Sequence, residues 1–213
     1  KLPAVLADNM VLQQQTNVKL WGQVQPKATL TVKTSWSNKI HKVTADNQGK
    51  WELNIATPSA GGPYEITFND GELLTLKNIL IGEVWFCSGQ SNMEMPMSGF
   101  DRQPTQSTND IIAKAKASTP IRIHNTDSKN GKWIRQSSKT PQEDCQGEWL
   151  ENTPENVANT SAAAYYFARY IQEVLDVPVG IIISTLGGSK VEAWMSREAI
   201  SPFKSIDLSI LDN

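Results

Sequence analysis

Hydrophobic and polar residues alternate with a period of two along the first eighty residues of the chain. Six short segments follow this pattern: Val18–Val24, Ala28–Val32, Ile40–Thr44, Trp51–Ile55, Tyr64–Phe68 and Leu73–Leu76. The connections at Asp46–Gly49 and Asn69–Gly71 contain Asn, Asp and Gly, which tolerate the positive φ of hairpin turns. Alternation punctuated by hairpin turns is typical of antiparallel sheets with one buried face. The pattern therefore predicts a small antiparallel β-sandwich domain over residues 1–77.

From about residue 78 the pattern changes to strands that alternate with helices. The predicted elements are strands at Ile79–Cys87, Ile121–Asn125 and Val179–Ile183, helices at about 107–117 and at 161–175, and a long irregular stretch over 126–151. The second helix carries apolar residues at spacings of three and four, and we expect it to cross over between two parallel strands. Residues 78–213 are therefore predicted to form an α/β domain.

Composition and charge are those of an ordinary globular chain. The 213 residues include 20 Lys and Arg against 22 Asp and Glu, and 39% are hydrophobic. No basic cluster marks a nucleic-acid surface, and no apolar run approaches the roughly 20 residues that span a bilayer. We therefore expect neither nucleic acid nor a membrane interior as a partner. The chain opens at Lys1 with no apolar signal segment, which fits a mature secreted or periplasmic chain, or a trimmed one.

The two cysteines, Cys87 and Cys145, are too few for a disulfide scaffold and lack the CxxC spacing of a zinc site. We interpret both as buried apolar residues, and the sequence leaves open whether they pair.

Two polar loops follow predicted parallel strands and are the main candidates for a functional site. One is Ser88–Glu94 and the other is Ser184–Ser189. Open α/β sheets bind ligands at the carboxyl ends of their strands. A serine in a tight turn after a strand can project its hydroxyl, and paired glycines let a backbone N–H approach a ligand closely. Ser91 is thus a candidate nucleophile, although the loop is not a G-x-S-x-G elbow, because Met93 replaces the last glycine. A plain turn is the alternative.

These residues resemble the sialate O-acetylesterases, a family of SGNH (GDSL-like) hydrolases. The similar segments are Leu6–Gln13, Trp21-Gly22, Gly82–Glu94, Ser161–Phe167, Val177–Ile182, Gly187–Ser189 and Glu192–Trp194. They extend over nearly the whole chain, and the string Gly-Gln-Ser-Asn-Met after an apolar strand is fairly specific for carbohydrate-active members.

The resemblance implies an SGNH-type three-layer α/β (flavodoxin-like) hydrolase domain that removes O-acetyl groups from sialic acid. Ser91 would be the nucleophile and form an acyl-enzyme, and the N–H groups of Ser91 and Gly188 would form part of the oxyanion hole. Gln90, Asn92 and Gly187 would contact the acetylated sugar. No metal or organic cofactor is implied. One departure is Leu186, where the family often has Trp, and this difference affects the shape of the sugar pocket.

The chain carries no convincing catalytic base. The family supplies an oxyanion-hole Asn and then the Asp and His of the triad from segments beyond the position of Asn213. Gln146-Gly147-Glu148 resembles the Asn segment only by coincidence. His41 lies in a predicted strand of the β-domain and His124 alternates with isoleucines, so we expect a surface residue and a packed imidazole. We therefore expect this incomplete hydrolase domain to need its own C-terminal polypeptide, either in the same chain or as a second chain.

Three interpretations remain open at this point. The chain is part of a secreted sialate O-acetylesterase, or of an acetylesterase that acts on another acetylated polysaccharide, or it is a non-catalytic carbohydrate-binding module. Trp21, Trp36 and Trp51 lie in the β-rich part, where they could stack on sugars or pack in the core; core packing is the expectation.

Overall fold

A computed structural model describes residues 1–37, 39–126, 128–129, 132–133, 142 and 144–209. Its strands are β1 (Val11–Gln13), β2 (Asn17–Gln23), β3 (Thr29–Thr34), β4 (Ile40–Thr44), β5 (Lys50–Ala56), β6 (Gly61–Asn69), β7 (Leu73–Gly89), β8 (Ile121–Asn125), β9 (Ser128–Lys129), β10 (Lys132–Trp133), β11 (Trp149–Glu151) and β12 (Val179–Thr185). Its α-helices are α1 (Ser91–Glu94), α2 (Asn109–Ala113), α3 (Pro154–Ala158), α4 (Ala162–Leu175) and α5 (Arg197–Ile200), with a 3₁₀ turn at Val191–Trp194.

Most strands form one mixed sheet in the order β11-β8-β12-β7-β6-β3-β4, with β1 also paired to β7. β12 is parallel to β8 on one side and to β7 on the other, in the register Val179↔Glu83 through Thr185↔Gly89. The predicted arrangement of parallel strands around α4 is thus confirmed, and so is the α/β class of the fold. Its consequence is that the segments after β7 and β12 leave the sheet at the same edge and the same level.

The β-rich part buries one apolar core between two sets of antiparallel strands. β2 and β5 form a separate two-stranded sheet that contributes Leu20, Trp51 and Ile55, while β3 and β6 contribute residues such as Val32 and Ile66. Trp51 packs on Phe68 in this core. The more specific description of this part as a β-sandwich stays a prediction.

β7 runs without interruption through residues that were predicted to separate two strands. Asn78 has a φ of +55°, and its side-chain amide donates to Asn9 at 2.7 Å and to Glu151 at 3.2 Å. Asn is one of the few residues that adopt this left-handed conformation readily, so the strand continues through an irregularity in its pairing with β6, where Ile66 pairs with Leu76 and Tyr64 with Ile79. The division into domains 1–77 and 78–213 stays a prediction, with a boundary that falls inside β7.

A second apolar core lies between α4 and the strands β8 and β12, and it holds in place the strand end that carries part of the candidate site. The helix starts one residue after its predicted first residue, because Ser161 caps it by accepting a hydrogen bond from the Ala164 N–H, and it ends at Asp176 with a φ of +50°. Its buried face, which includes Tyr165 and Ala168, packs on isoleucines of β8 and β12. α2 is shorter than predicted. Much of the predicted irregular stretch over 126–151 lies outside the described residues, and the described part includes β11, which pairs antiparallel with β8.

Part of the α/β surface stays apolar and uncovered. Phe86 on β7 is 65% exposed and Tyr170 on α4 is 67% exposed. From Glu83 to Gly89, β7 pairs with β12 on one side and with no other strand among the described residues. Over this range the other edge of β7 is therefore open in the described part of the chain. No helix in the described part of the chain is both long and apolar enough to cross a bilayer.

Candidate active site

Ser91 is the first residue of α1, two positions beyond the end of β7. Its side chain is exposed, and its hydroxyl makes no hydrogen bond to the described residues. The turn beneath it is held by the start of α4: the Met97 N–H donates to the Thr160 carbonyl at 2.8 Å, and the Ala162 N–H donates to the Met95 carbonyl at 2.8 Å. The serine is therefore an exposed hydroxyl on a firmly anchored backbone.

The loop after β12 folds directly against the loop that carries Ser91. The Leu186 N–H donates to the Gly89 carbonyl at 3.0 Å, and the Gln90 side-chain amide donates to the Ser189 carbonyl at 2.6 Å. A Cβ built on Gly187 would lie 3.5 Å from Ser91 Oγ. The structure thus brings together Gln90, Ser91 and the glycine pair, as the shared sheet edge requires.

Glu94 is the residue of this site that the sequence reasoning missed. Its carboxylate Oε2 accepts a short hydrogen bond from the Gly187 N–H. Ser91 and Glu94 are three residues apart on a helical turn and therefore lie on one face, which is the signal that could have revealed it. The carboxylate joins the serine turn to the glycine loop.

Two backbone donors at the site have no protein acceptor. Within the described ranges, neither the Ser91 N–H nor the Gly188 N–H donates a hydrogen bond to the protein. Gly188 has a φ of +75° and nothing within 4 Å of a Cβ position, so its backbone is open to a ligand. Asn92 lies beside Ser91 and is exposed. The roles assigned to Gln90, Asn92, Gly187 and Gly188 stay predictions.

Neither histidine serves Ser91 in this arrangement. His124 is fully buried in β8, its ring packs edge-on against Trp149 with centroids 5.2 Å apart, and both ring nitrogens lack a hydrogen-bond partner among the described residues. Burial lowers the pKa of this imidazole, against the weaker opposing effects of the Ala4 backbone and of the Glu148 and Asp144 carboxylates. His41 lies on β4 opposite Val32. A general base must be within hydrogen-bond reach of the proton it removes, and neither imidazole contacts Ser91 Oγ.

The two cysteines are unpaired. Cys87 is buried beneath the site on β7, while Cys145 is only partly buried, so the interpretation as buried residues fits Cys87 better. Burial raises the pKa of both thiols, and Asp144 adds to the effect at Cys145. In the part of the chain that the structure describes, no three His, Cys, Asp or Glu side chains come together as a metal site would require.

Comparison with known proteins agrees with the resemblance read from the sequence. The chain is 27% identical over 208 residues to the sialate O-acetylesterase of Mus musculus, and this match covers 90% of the chain and 36% of the mouse protein. It is also 27% identical over 215 residues to the sialate O-acetylesterase of Homo sapiens, which covers 94% of this chain and 39% of the human protein. No protein-family model matches the chain.

The fold of the chain is similar to that of a solved carbohydrate acetylesterase structure. The crystal structure of a carbohydrate acetylesterase from Xanthomonas citri superposes on all of this chain with a TM-score of 0.83 and 32% sequence identity, and the match covers 46% of that protein. The resemblance to sialate O-acetylesterases is confirmed, and the similar proteins are esterases by name. The chain spans less than half the length of these relatives.

Proposed function

We propose that this chain carries the nucleophile side of a serine esterase site that removes acetyl groups from sugars. The observation that supports this most directly is an exposed Ser91 hydroxyl against a Gly-Gly loop, with two backbone N–H groups nearby. None of these three groups has a hydrogen-bond partner among the described residues. The similarity to sialate O-acetylesterases and to a carbohydrate acetylesterase makes acetylated sugars the substrate class. Sialic acid is the more specific proposal, and an SGNH-type domain is the proposed framework.

The chemistry follows from the positions of these groups. Ser91 Oγ attacks the acetyl carbonyl carbon, and its proton passes to a general base. The negative charge that develops on the carbonyl oxygen is stabilised by the N–H groups of Ser91 and Gly188, which have no acceptor to give up in the part of the protein that the structure describes. The sugar hydroxyl then leaves with a proton, and water releases acetate from the acyl-enzyme.

The base and its orienting carboxylate are proposed to come from polypeptide beyond residue 213. The Ser91 hydroxyl contacts no imidazole among the described residues, and β7 has an open edge next to the site. A serine without its base is a weak nucleophile, and removal of a triad member costs several powers of ten in turnover. The chain alone should therefore be nearly inert.

The test is an acetate-release assay on the chain alone, on the chain joined or complemented by its C-terminal polypeptide, and on Ser91→Ala in that complete form. Ser98→Ala is the matched control, since it removes another exposed serine hydroxyl from the same segment. Substrates are O-acetylated sialic acid, acetylated xylan and 4-nitrophenyl acetate. Ser91→Ala should abolish release and leave stability within about 0.5 kcal/mol, because the hydroxyl is exposed and bonds to none of the described residues.

The outcomes separate the alternatives. Release from O-acetylated sialic acid above that from xylan supports the sialate assignment, and the reverse supports another acetylated polysaccharide. Full activity of complete Ser91→Ala would reject the esterase mechanism and favour a sugar-binding module. Turnover by the chain alone that disappears in His124→Ala would move the base to His124.

A further inference from the structure

We infer that Glu94 is a positioning residue of this site: its carboxylate fixes the glycine loop so that the Gly188 N–H, and not the Gly187 N–H, is available to a ligand. This inference rests on the proposed function of Ser91. Glu94 contacts no reacting atom in this role, since it acts through the backbone of the neighbouring loop.

The Gly187 N–H is used by the carboxylate of Glu94. Each backbone N–H can make one strong hydrogen bond, and that of Gly187 is directed at Glu94 Oε2. A charged acceptor makes this bond stronger than a bond between neutral groups. Gly187 is thereby removed as an oxyanion donor, and the next N–H along the loop, that of Gly188, has no acceptor in the described part of the protein.

The Glu94 carboxylate lies close against the backbone of Gly187. The position that a Cβ would occupy there is filled by the Glu94 carboxylate, with Glu94 Cδ at 3.4 Å and Ser91 Oγ at 3.5 Å. The φ of Gly187 lies outside the left-handed region, so the backbone conformation does not require glycine. The absence of a side chain instead lets a carboxylate approach the backbone beside the serine.

The other hydrogen bonds around the glycine pair do not engage the Gly187 N–H. Leu186 is held through its N–H to Gly89, and Ser189 is held through its carbonyl to Gln90. The Ser189 N–H and hydroxyl also donate to the Leu186 carbonyl and close a turn around the pair, in which Gly188 has a left-handed φ with open space around it. Among the described residues Glu94 is the acceptor of the Gly187 N–H. Without it the peptide that carries this N–H can change its orientation within the turn, because glycine restricts its backbone less than any other residue.

The first experiment measures hydrogen exchange of the Gly187 and Gly188 amides by NMR in the chain itself, without reference to catalysis. Glu94→Ala should speed exchange of the Gly187 amide at least about tenfold, since loss of a hydrogen bond to a charged group corresponds to one to two powers of ten. Glu94→Gln keeps an acceptor oxygen and should stay within about threefold of the wild type. Glu173→Ala, which removes an exposed carboxylate from α4, is the matched control and should change nothing.

The second experiment measures hydrolysis of 4-nitrophenyl acetate by the complete protein. Glu94→Ala should lower kcat about 10- to 100-fold with KM within about twofold, because a misplaced oxyanion donor is lost in the transition state and not in substrate binding. Glu94→Gln keeps an acceptor oxygen for the Gly187 N–H and should recover most of kcat, which a purely structural defect would not allow. Ser91→Ala is measured in parallel.

The outcomes decide the inference and the proposed function separately. Unchanged Gly187 exchange in Glu94→Ala overturns the inference, and so does faster exchange with unchanged kcat when Ser91→Ala is inactive. Activity retained by Ser91→Ala rejects the proposed function instead, and the exchange rates still report whether Glu94 holds the loop. If Glu94→Ala does not fold, Glu94→Asp replaces it: its shorter side chain should not reach Gly187, and wild-type exchange in that variant would overturn the inference.

Discussion

The two adjacent glycines of the candidate site should respond to alanine for different physical reasons, and a double-mutant cycle can separate them. In Gly187→Ala the new methyl group would overlap the Glu94 carboxylate, which must move away and lose its bond to the Gly187 N–H. A hydrogen bond to a charged group contributes about 1.5–3 kcal/mol. Glu94 is partly exposed and water replaces some of that loss, so we expect a decrease of about 1–2 kcal/mol in the free energy of unfolding.

The cycle compares wild type, Gly187→Ala, Glu94→Ala and the double variant by urea unfolding. Once Glu94 is alanine, the methyl group at position 187 meets no carboxylate, so the second substitution should cost less than about 0.5 kcal/mol and the coupling should be about 1 kcal/mol or more. Gly188→Ala is the comparison. It should cost about 1–2 kcal/mol through its φ of +75° alone, with no coupling to Glu94. Strict additivity of Gly187→Ala and Glu94→Ala would refute this account of the loop.

Two further predictions concern the core around the site. Burial lowers the pKa of His124, so the imidazole binds a proton more readily in the unfolded chain, and the free energy of unfolding should be largest above about pH 6.5 and decrease as the pH falls below it. Urea unfolding at pH 8 and pH 5.5 should show a smaller decrease in His124→Leu than in wild type. An equal decrease would contradict a role for His124 in this pH dependence. Tyr165→Phe should lower stability by about 1–3 kcal/mol, because the buried Tyr165 hydroxyl donates to Asn152 Oδ1 at 2.7 Å and its removal leaves that oxygen unpaired. Tyr166→Phe on the exposed side of α4 should stay within about 0.5 kcal/mol in the same measurement.

The alternation of apolar residues was sufficient to locate most elements of the fold. The strand at Ile40–Thr44 and the one at Ile121–Asn125 have their predicted bounds, and α4 begins one residue after its predicted start. These are segments in which local pattern and burial agree. The continuity of β7 could not be predicted in the same way, because Lys77 and Asn78 are polar and look like a turn. Only the contacts of Asn78 with Asn9 and Glu151, distant in sequence, show why the strand continues.

The candidate site, like the fold, could be predicted from the sequence only in part. The position of Ser91 and the glycine pair at one sheet edge follows from strand order, which the sequence pattern supports. The contact of Glu94 with Gly187 could not be predicted, since it depends on how two loops separated by some ninety residues meet at side-chain resolution. Sequence pattern indicates which strands end at a site, whereas hydrogen bonds between their loops determine which backbone donors remain available.

β7 belongs both to the β-rich part of the chain and to the candidate site, because the strand runs from Leu73 to Gly89 and ends two residues before Ser91. Side chains alternate between the two faces of a strand, so inserting or deleting a single residue between Ile79 and Gly82 would turn every later side chain of β7 to the opposite face. Trp85 and Cys87, which face α4, would then point to the opposite face of the sheet and Phe86 would point toward α4. The loop that carries Ser91 would no longer leave the sheet at the same level as the end of β12. Length variation between the two parts is therefore costly within this segment. Evolution and engineering alike would have to change such a protein in its loops, or replace the strand as a whole.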